Sequence, residues 1–484
     1  MKSQTLSKSS QSTQTQLLAT VDELESQKTQ ESEWYGILVM KANGRQKVIQ
    51  LRPQNDFSVG RKEVCNEIVK QKVASAVHFV VYVIVFDHNQ LPLVYCWDRS
   101  SNGTFVNNKI IGTNKRVLLT DGDEIEIRHV CSFTFHQRSA SRNLDSALIK
   151  DFQHIPKYKL TRRTIGQGSF GQVLLAENRA TGRQVACKIM DSGSNSQRMF
   201  KAKTEIALLQ RLSHPNIIAV YDASIFGNRV YMFEELITGG DMFSYLTRDD
   251  RLSSISEAEA LVVTFQLLQA LLYLHENNIV HRDLKLDNIL RVAKSPESRV
   301  VLADFGISKY TKGKPRMTTV VGTPEFCAPE VGFGSSKKTG NPGYDHKCDS
   351  WSLGVIIHIM LSGKTGAGII DSTLTGKGIS PFWDCTEDST AMAIKAERCQ
   401  VNMSEEIWSI VSWPAKDLIH KLLCTNVERR YSISDCFEHP WIKSEYSLLS
   451  AIYKERCISD WNQPDHRTAI LSSSQCAALN IGSQ

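Results

Sequence analysis

Five short segments, in a fixed order, hold the residues whose types and spacing could do chemistry. GQGSFGQV, residues 166–173, sets three glycines where backbone amides could approach a phosphate with no Cβ in the way. VACK places Lys188 fifteen residues after Val173, and HRDLKLDN, 281–288, gathers Arg282, Asp283, Lys285 and Asn288. DFG at 304–306 and APE at 328–330 complete the series. A glycine-rich turn alone is weak evidence because such turns are common, so the order of the whole set carries the weight. Among these residues Asn288 and Asp304 offer hard oxygen donors, the kind that suit a hard cation.

In this order the segments resemble the signature of the eukaryotic protein kinases, over roughly residues 158–442. The resemblance implies an α+β bilobal fold that transfers the γ-phosphate of ATP to protein Ser or Thr. Phosphoryl transfer asks little covalent work of a protein; the site must position ATP, neutralise charge with Mg2+ and orient a hydroxyl. The resemblance assigns Gly166, Gln167, Gly168, Ser169, Phe170, Gly171 and Val173 to the phosphate loop, and Lys188 to the α and β phosphates. It makes Glu205, in the first helix, the partner of Lys188, and adds Ala186 and Glu235 to the nucleotide pocket. Asp283 becomes the catalytic carboxylate, Lys285 a γ-phosphate contact, and Asn288 and Asp304 the Mg2+ ligands.

The same resemblance makes Arg282 the receiver of an activation-loop phosphate, with Thr318 and Thr319 as phosphosites, because an added charge near −2 can order a loop through arginine pairs. Thr323 is expected to shape the substrate platform and Glu330 to pair with Arg430. Asp241 and Asp287 are expected to attract a basic residue upstream of the target serine. Two residues depart from the family pattern. Leu286 replaces the proline usual after the catalytic-loop lysine, and Glu234 falls beside the adenine pocket where an apolar residue is usual. The run LSGKTGAGIIDSTLTGKGISPF reads as LSG and ISPF with about fourteen residues inserted after Gly363, a tolerable surface loop or a gene-model artefact.

Elements must hold these residues. After Tyr158 come strand-like runs, then helical periodicity in FKAKTEIALLQRL and EALVVTFQLLQALLYLHE that persists to about Ile442. Upstream, from Trp34 to Gln137, short β-rich runs punctuated by Gly and Asn predict an all-β sandwich. Within it VGR (59–61), SAVH (75–78), SSNGTFVNN (100–108) and LLTDGDEIEI (118–127) follow in an order that resembles the forkhead-associated (FHA) domain, a phosphothreonine binder. Binding a phosphate on a surface needs a forked cation and hydroxyl donors. The resemblance supplies them as Arg61 and Ser75, with Ser101 adding a phosphate contact and Asn102 holding the ligand backbone. His78 is expected to brace the loop and Gly103 and Thr104 to shape the turn. Residues 138–157 read as a linker and 443–484 as a polar tail.

The bulk numbers exclude some classes. At 484 residues, 41% hydrophobic and 22% charged, the chain should fold as two to three domains. The net charge of +6 is spread out and argues for neither nucleic-acid nor membrane binding. Twelve cysteines with no C-x-x-C pair suit reduced thiols rather than a disulfide framework or zinc site.

Residues 1–33 are polar, lack aromatics and read as a disordered tail. All six glutamines of the first thirty residues follow a Ser or Thr, which by chance is an event of about two or three in a thousand. A Ser/Thr-Gln cluster, an FHA domain and a calmodulin-dependent-type kinase domain together resemble the checkpoint kinase 2 family, in a fungal-type form. That resemblance implies a DNA-damage or replication checkpoint kinase located in the nucleus. Sensor kinases would phosphorylate the cluster, and its phosphothreonine would bind the FHA domain of a second copy. The resulting dimer would phosphorylate its own activation loops. Among the Thr-Gln sites Thr13, Thr15 and Thr29, only Thr15 has an aliphatic or acidic third following residue, Leu18, so it is expected to be the dimerising site. A meiosis-specific relative is the alternative within the family. A catalytically dead phosphothreonine reader would have lost Lys188, Asp283 or Asp304, and all three are present.

Overall fold

The structure is a computed structural model that describes residues 35–42, 45–86, 91–137, 146–168, 171–248, 251–311, 316–332, 343–363, 380–382, 388–399, 401, 403, 406–459 and 461. The Ser/Thr-Gln cluster with Thr13, Thr15 and Thr29, the loop tip Ser169–Phe170 and the insertion after Gly363 lie outside the described residues. The chain forms two compact units whose boundary lies near residue 139.

The first unit is a β-sandwich. Its strands are β1 (Gly36–Ala42), β2 (Arg45–Leu51), β3 (Phe57–Gly60), β4 (Glu67–Ile68), β5 (Phe79–Ile84) and β6 (Leu93–Asp98). They continue as β7 (Phe105–Val106), β8 (Lys109–Ile110), β9 (Arg116–Leu118), β10 (Glu124–Ile127) and β11 (Cys131–His136). One sheet runs β2-β1-β11-β10-β7-β8 and the other β4-β3-β5-β6-β9. EIEI in β10 alternates as the two-residue strand period demands, burying Ile125 and Ile127. Phe57 and Phe79 of the second sheet meet Phe133 of the first edge-on, at 6.3 and 5.4 Å between ring centres.

The second unit begins inside the expected linker. Helix α1 (Ser146–Gln153) buries Leu148, and with Ile155 it packs under the first sheet strand beside Tyr158 and Phe233. Asp151 accepts a hydrogen bond from the Tyr231 hydroxyl at 2.5 Å. Residues 146–157 are therefore part of this unit, because their apolar side chains complete its core. The antiparallel sheet runs β12 (Tyr158–Gly168), β13 (Gly171–Asn178), β14 (Gln184–Asp191), β16 (Arg229–Glu234), β15 (Val220–Phe226). Helix α2 (Ser196–Leu209) starts where Asn195 accepts the amides of Gln197 and Arg198.

The remainder is mainly helical, built on α3 (Glu257–Glu276), α4 (Lys347–Ser362) and α5 (Trp413–Leu422). Both α3 and α4 are apolar around most of their surface because neighbours enclose them; in α4 every residue from Cys348 to Ser362 is buried. The tail expected from residue 443 does not begin there. Helix α6 (Tyr446–Tyr453) and the wider turn Lys454–Ile458 pack on the domain, burying Leu449 and Cys457.

Candidate functional site

The first two strands of the second unit pair across the glycine-rich segment. Gly166, Gln167 and Gly168 pair with Val173, Gln172 and Gly171. At Gly171 φ is +154°, and a Cβ there would lie 1.9 Å from the Ile189 carbonyl oxygen, so the turn admits only glycine. Val173 pairs in turn with Lys188 of β14. Two residues before Lys188, Ala186 sits opposite Glu234 at the end of β16.

Lys188 is buried, and its ammonium lies 2.8 Å from Glu205 of α2 and 3.2 Å from Asp304. Burial alone would discharge it, but the carboxylates of Glu205, Asp304 and Glu234 outweigh that and hold it charged. Burial also pushes the Glu205 carboxyl upward against the pull of Lys188. Asp304 runs the other way: burial would raise it, yet Lys188 holds it below the usual carboxylate range, so it is ionised at neutral pH. Phe305 packs edge-on against His281 at 4.8 Å, which seats Asp304 in the cleft with its own φ at +59°.

Asp283 is fixed from three sides. Its Oδ1 accepts the Thr323 hydroxyl at 2.8 Å and the Thr323 amide at 3.1 Å, while Oδ2 accepts Asn288 Nδ2 at 3.1 Å. Asn288 Nδ2 also donates to the Asp283 carbonyl at 2.8 Å, which commits its nitrogen and leaves its amide oxygen as an acceptor. With the ionised Asp304, this gives the oxygen donor set that fits Mg2+. Lys285 stands half-buried just ahead of the turn 286–288, and Leu286 is fully buried there, filling the place usually taken by proline.

Sequence reasoning missed the group that holds this loop. Asp349, buried in α4, accepts the amides of His281 (3.0 Å) and Arg282 (2.9 Å), and His275 lies 2.9 Å away. Burial would raise its pKa, but the hydrogen bond from His275 and the backbone bonds hold the carboxyl low. A lone aspartate in the apolar run KCDSWSLGVIIHIML was the available signal. Arg282 donates through Nε to the Ile307 carbonyl at 2.6 Å and through Nη1 to the Tyr344 hydroxyl at 3.4 Å. That hydroxyl donates to the Thr319 carbonyl at 2.8 Å, while the Thr318 and Thr319 side chains are exposed. Glu330 and the buried Arg430 form a two-pronged pair at 2.5 and 2.9 Å.

Two expected positions behave differently. Asp241 is buried and caps the helix 242–246, accepting the Ser244 amide at 2.7 Å; burial lifts its pKa to about 7. It is therefore a structural cap rather than an exposed acid. The Glu235 side chain turns to Arg299, so only its main chain can serve a nucleotide, and its amide already donates to the Ala219 carbonyl at 2.9 Å.

In the sandwich, Arg61, Ser75, Ser101 and Asn102 come together at the loops of one edge. Arg61 Nε donates to the Ala74 carbonyl at 2.6 Å, which aims an exposed guanidinium outward. Ser75 and Ser101 share their hydroxyls at 3.2 Å, and the Ser101 amide donates to Ser75 Oγ at 3.0 Å. Asn102 Nδ2 donates to the Val73 carbonyl at 2.8 Å, bracing the opposite loop. His78 is fully buried, and burial lowers its pKa, so the ring is neutral. Its Nδ1 accepts the Ser75 amide at 3.1 Å, which fixes Nε2–H as donor to the Gly103 carbonyl at 3.2 Å.

Residues 160–442 match the protein kinase domain family and residues 57–128 the FHA domain family, so fold and site define a protein kinase with an FHA domain. Such a protein uses ATP to phosphorylate proteins, and its FHA domain binds phosphothreonine peptides. The chain is 38% identical over 452 residues to the meiosis-specific serine/threonine-protein kinase mek1 of Schizosaccharomyces pombe, covering 91% of this chain and 94% of that one. It is 36% identical over 457 residues to the meiosis-specific serine/threonine-protein kinase MEK1 of Saccharomyces cerevisiae, covering 86% and 88%. To the ovarian-specific serine/threonine-protein kinase Lok of Drosophila melanogaster it is 31% identical over 411 residues, covering 82% and 81%. The chain belongs to the checkpoint kinase 2 family of FHA-containing serine/threonine protein kinases.

Proposed function

We propose that this chain is a meiotic checkpoint serine/threonine kinase, switched on by phosphothreonine-mediated pairing of two copies. The observation that carries the meiotic role is its likeness, over nearly the whole length, to two fungal kinases named meiosis-specific. A DNA-damage or replication checkpoint role in vegetative cells is the second reading, since the architecture is common to both.

For the chemistry, Asp283 accepts the proton of the target hydroxyl, held in place by Thr323 and Asn288. Lys188, fixed by Glu205, binds the α and β phosphates, and the backbone amides at Gly168 and Gly171 face them. Mg2+, held by Asn288 and Asp304, would neutralise the phosphate charge.

Sensor kinases modify the Thr-Gln sites, above all Thr15, and Arg61, Ser75, Ser101 and Asn102 of a second copy bind the phosphate and its flanks. A short tether raises the local concentration to about millimolar, enough for each copy to phosphorylate Thr318 or Thr319 of the other. The place of action is the nucleus, where sensor kinases meet broken DNA.

A kinase assay with and without sensor-kinase pretreatment tests this, together with sedimentation of the products. Wild type should dimerise and gain activity, Asp304→Ala should dimerise without activity, and Thr15→Ala should stay monomeric. A Thr15→Ala protein that still dimerised would remove the proposed switch. Deleting the gene should abolish arrest of meiotic cells carrying unrepaired breaks; a defect confined to damaged vegetative cells would favour the second reading.

A further inference from the structure

Past residue 442, where the kinase-family match ends, the chain continues as α6 and the turn Lys454–Ile458. Tyr446 and Tyr453 each meet Phe265 of α3 edge-on at 5.8 Å. The Tyr453 hydroxyl donates to Asn216 Oδ1 at 2.8 Å, and among the described residues it is the partner of that oxygen. Asn216 is fully buried. Its Nδ2 donates to Gln266 Oε1 at 3.0 Å and to the Val300 carbonyl at 2.7 Å, and its own carbonyl accepts the Leu302 amide at 2.9 Å. Cys457 Sγ donates to the same Gln266 oxygen at 3.3 Å.

Asn216 sits in the loop 213–219 that joins the exit of α2 to β15, so holding it has consequences in two directions. Leu302 lies two residues before Asp304, and its carbonyl accepts the Ile218 amide at 2.9 Å. On the other side, the Pro215 carbonyl accepts Arg299 Nη1 at 2.6 Å, and the same guanidinium pairs with Glu235. The Ala219 carbonyl accepts the Glu235 amide. A continuous set of hydrogen bonds thus joins the C-terminal helix to the strand that delivers Asp304 and to the segment beside the adenine pocket.

We propose that α6 is a positioning element of the nucleotide site: Tyr453, through Asn216, fixes the loop between α2 and β15 and thereby Glu235 and Asp304. The helix acts through Asn216, by position. The inference rests on the kinase activity and is independent of the meiotic role.

The test is steady-state kinetics on the full-length chain with a peptide substrate. Tyr453→Phe keeps the ring against Phe265 and removes only the hydroxyl. The expected result is a KM for ATP raised about three- to tenfold, the range of a lost buried hydrogen bond to Asn216, the longer contact of the same hydroxyl to His214 Nε2 at 3.4 Å going with it, and the peptide KM unchanged. Hydrogen exchange at residues 214–219 and 233–236 should quicken in the same variant. Lys454→Ala, on an exposed position of the same segment, should keep the wild-type KM for ATP. If Tyr453→Phe lowers the melting temperature or kcat but leaves the ATP KM and the exchange at 214–219 and 233–236 as in wild type, the helix is merely structural and the proposal falls. It falls equally if Lys454→Ala raises the ATP KM as much.

Discussion

Glu234 closes β16 beside Ala186 and Val220, and its carboxyl lies in the field of Lys188, Glu205 and Asp304. No described residue hydrogen-bonds it. Burial, with the two neighbouring carboxylates opposing Lys188, lifts its pKa from 4.5 to about 7. The folded chain therefore holds this proton more tightly than the unfolded chain. Its contribution to stability is full below pH 4.5 and is lost as pH rises toward 7. A displacement of that size is worth about 3 kcal/mol at 1.36 kcal/mol per pH unit, and about 2 kcal/mol once the opening of the cleft to water is allowed for. Glu234→Gln keeps the shape and removes the charge. At pH 8 the variant should be more stable by about 2 kcal/mol, a rise of about 3 °C in the melting of a kinase unit of this size. At pH 5, still above the unfolded-state value of 4.5, the advantage should shrink to about a quarter of that. Thermal unfolding of both across pH 5–8 measures the difference directly, since all other titrating groups are common to the pair. An advantage for the glutamine variant that did not grow between pH 5 and 8, or a glutamine variant less stable at pH 8, would refute the reasoning.

The remaining expectations concern the two binding surfaces. Gly171→Ala should abolish measurable ATP binding in a nucleotide thermal-shift assay, because the added Cβ meets the Ile189 carbonyl at 1.9 Å and φ is +154°. Arg61→Ala should weaken binding of a phosphothreonine peptide more than tenfold by calorimetry, by roughly the 1.5–3 kcal/mol of a hydrogen bond to a charged group. Its unphosphorylated control peptide should bind neither protein.

The candidate site could be drawn from the sequence because its members lie in short segments where residue type and spacing are dictated locally: glycine at 166, 168 and 171, hard oxygens at Asn288 and Asp304, a lysine in a strand. The candidate phosphothreonine site could be drawn for the same reason, with VGR, SAVH and SSNGTFVNN each a short stretch at a strand end or the loop beside it. What a linear reading could not supply was which distant groups hold those segments. Asp349 fastens the loop of Asp283 from 66 residues away, a separation no local pattern encodes. Asp241 carries the sequence marks of a surface acid, and its role as a buried cap depends on what packs over it. The polar composition after 443 hid a docked helix because one face with Leu449 and Cys457 is enough to anchor it once α3 is there to receive it. Residue chemistry and turn geometry are properties of a few neighbours in the chain. Burial, and with it the charge state of Glu234 and the hold of Tyr453 on Asn216, exists only when remote segments exclude water together.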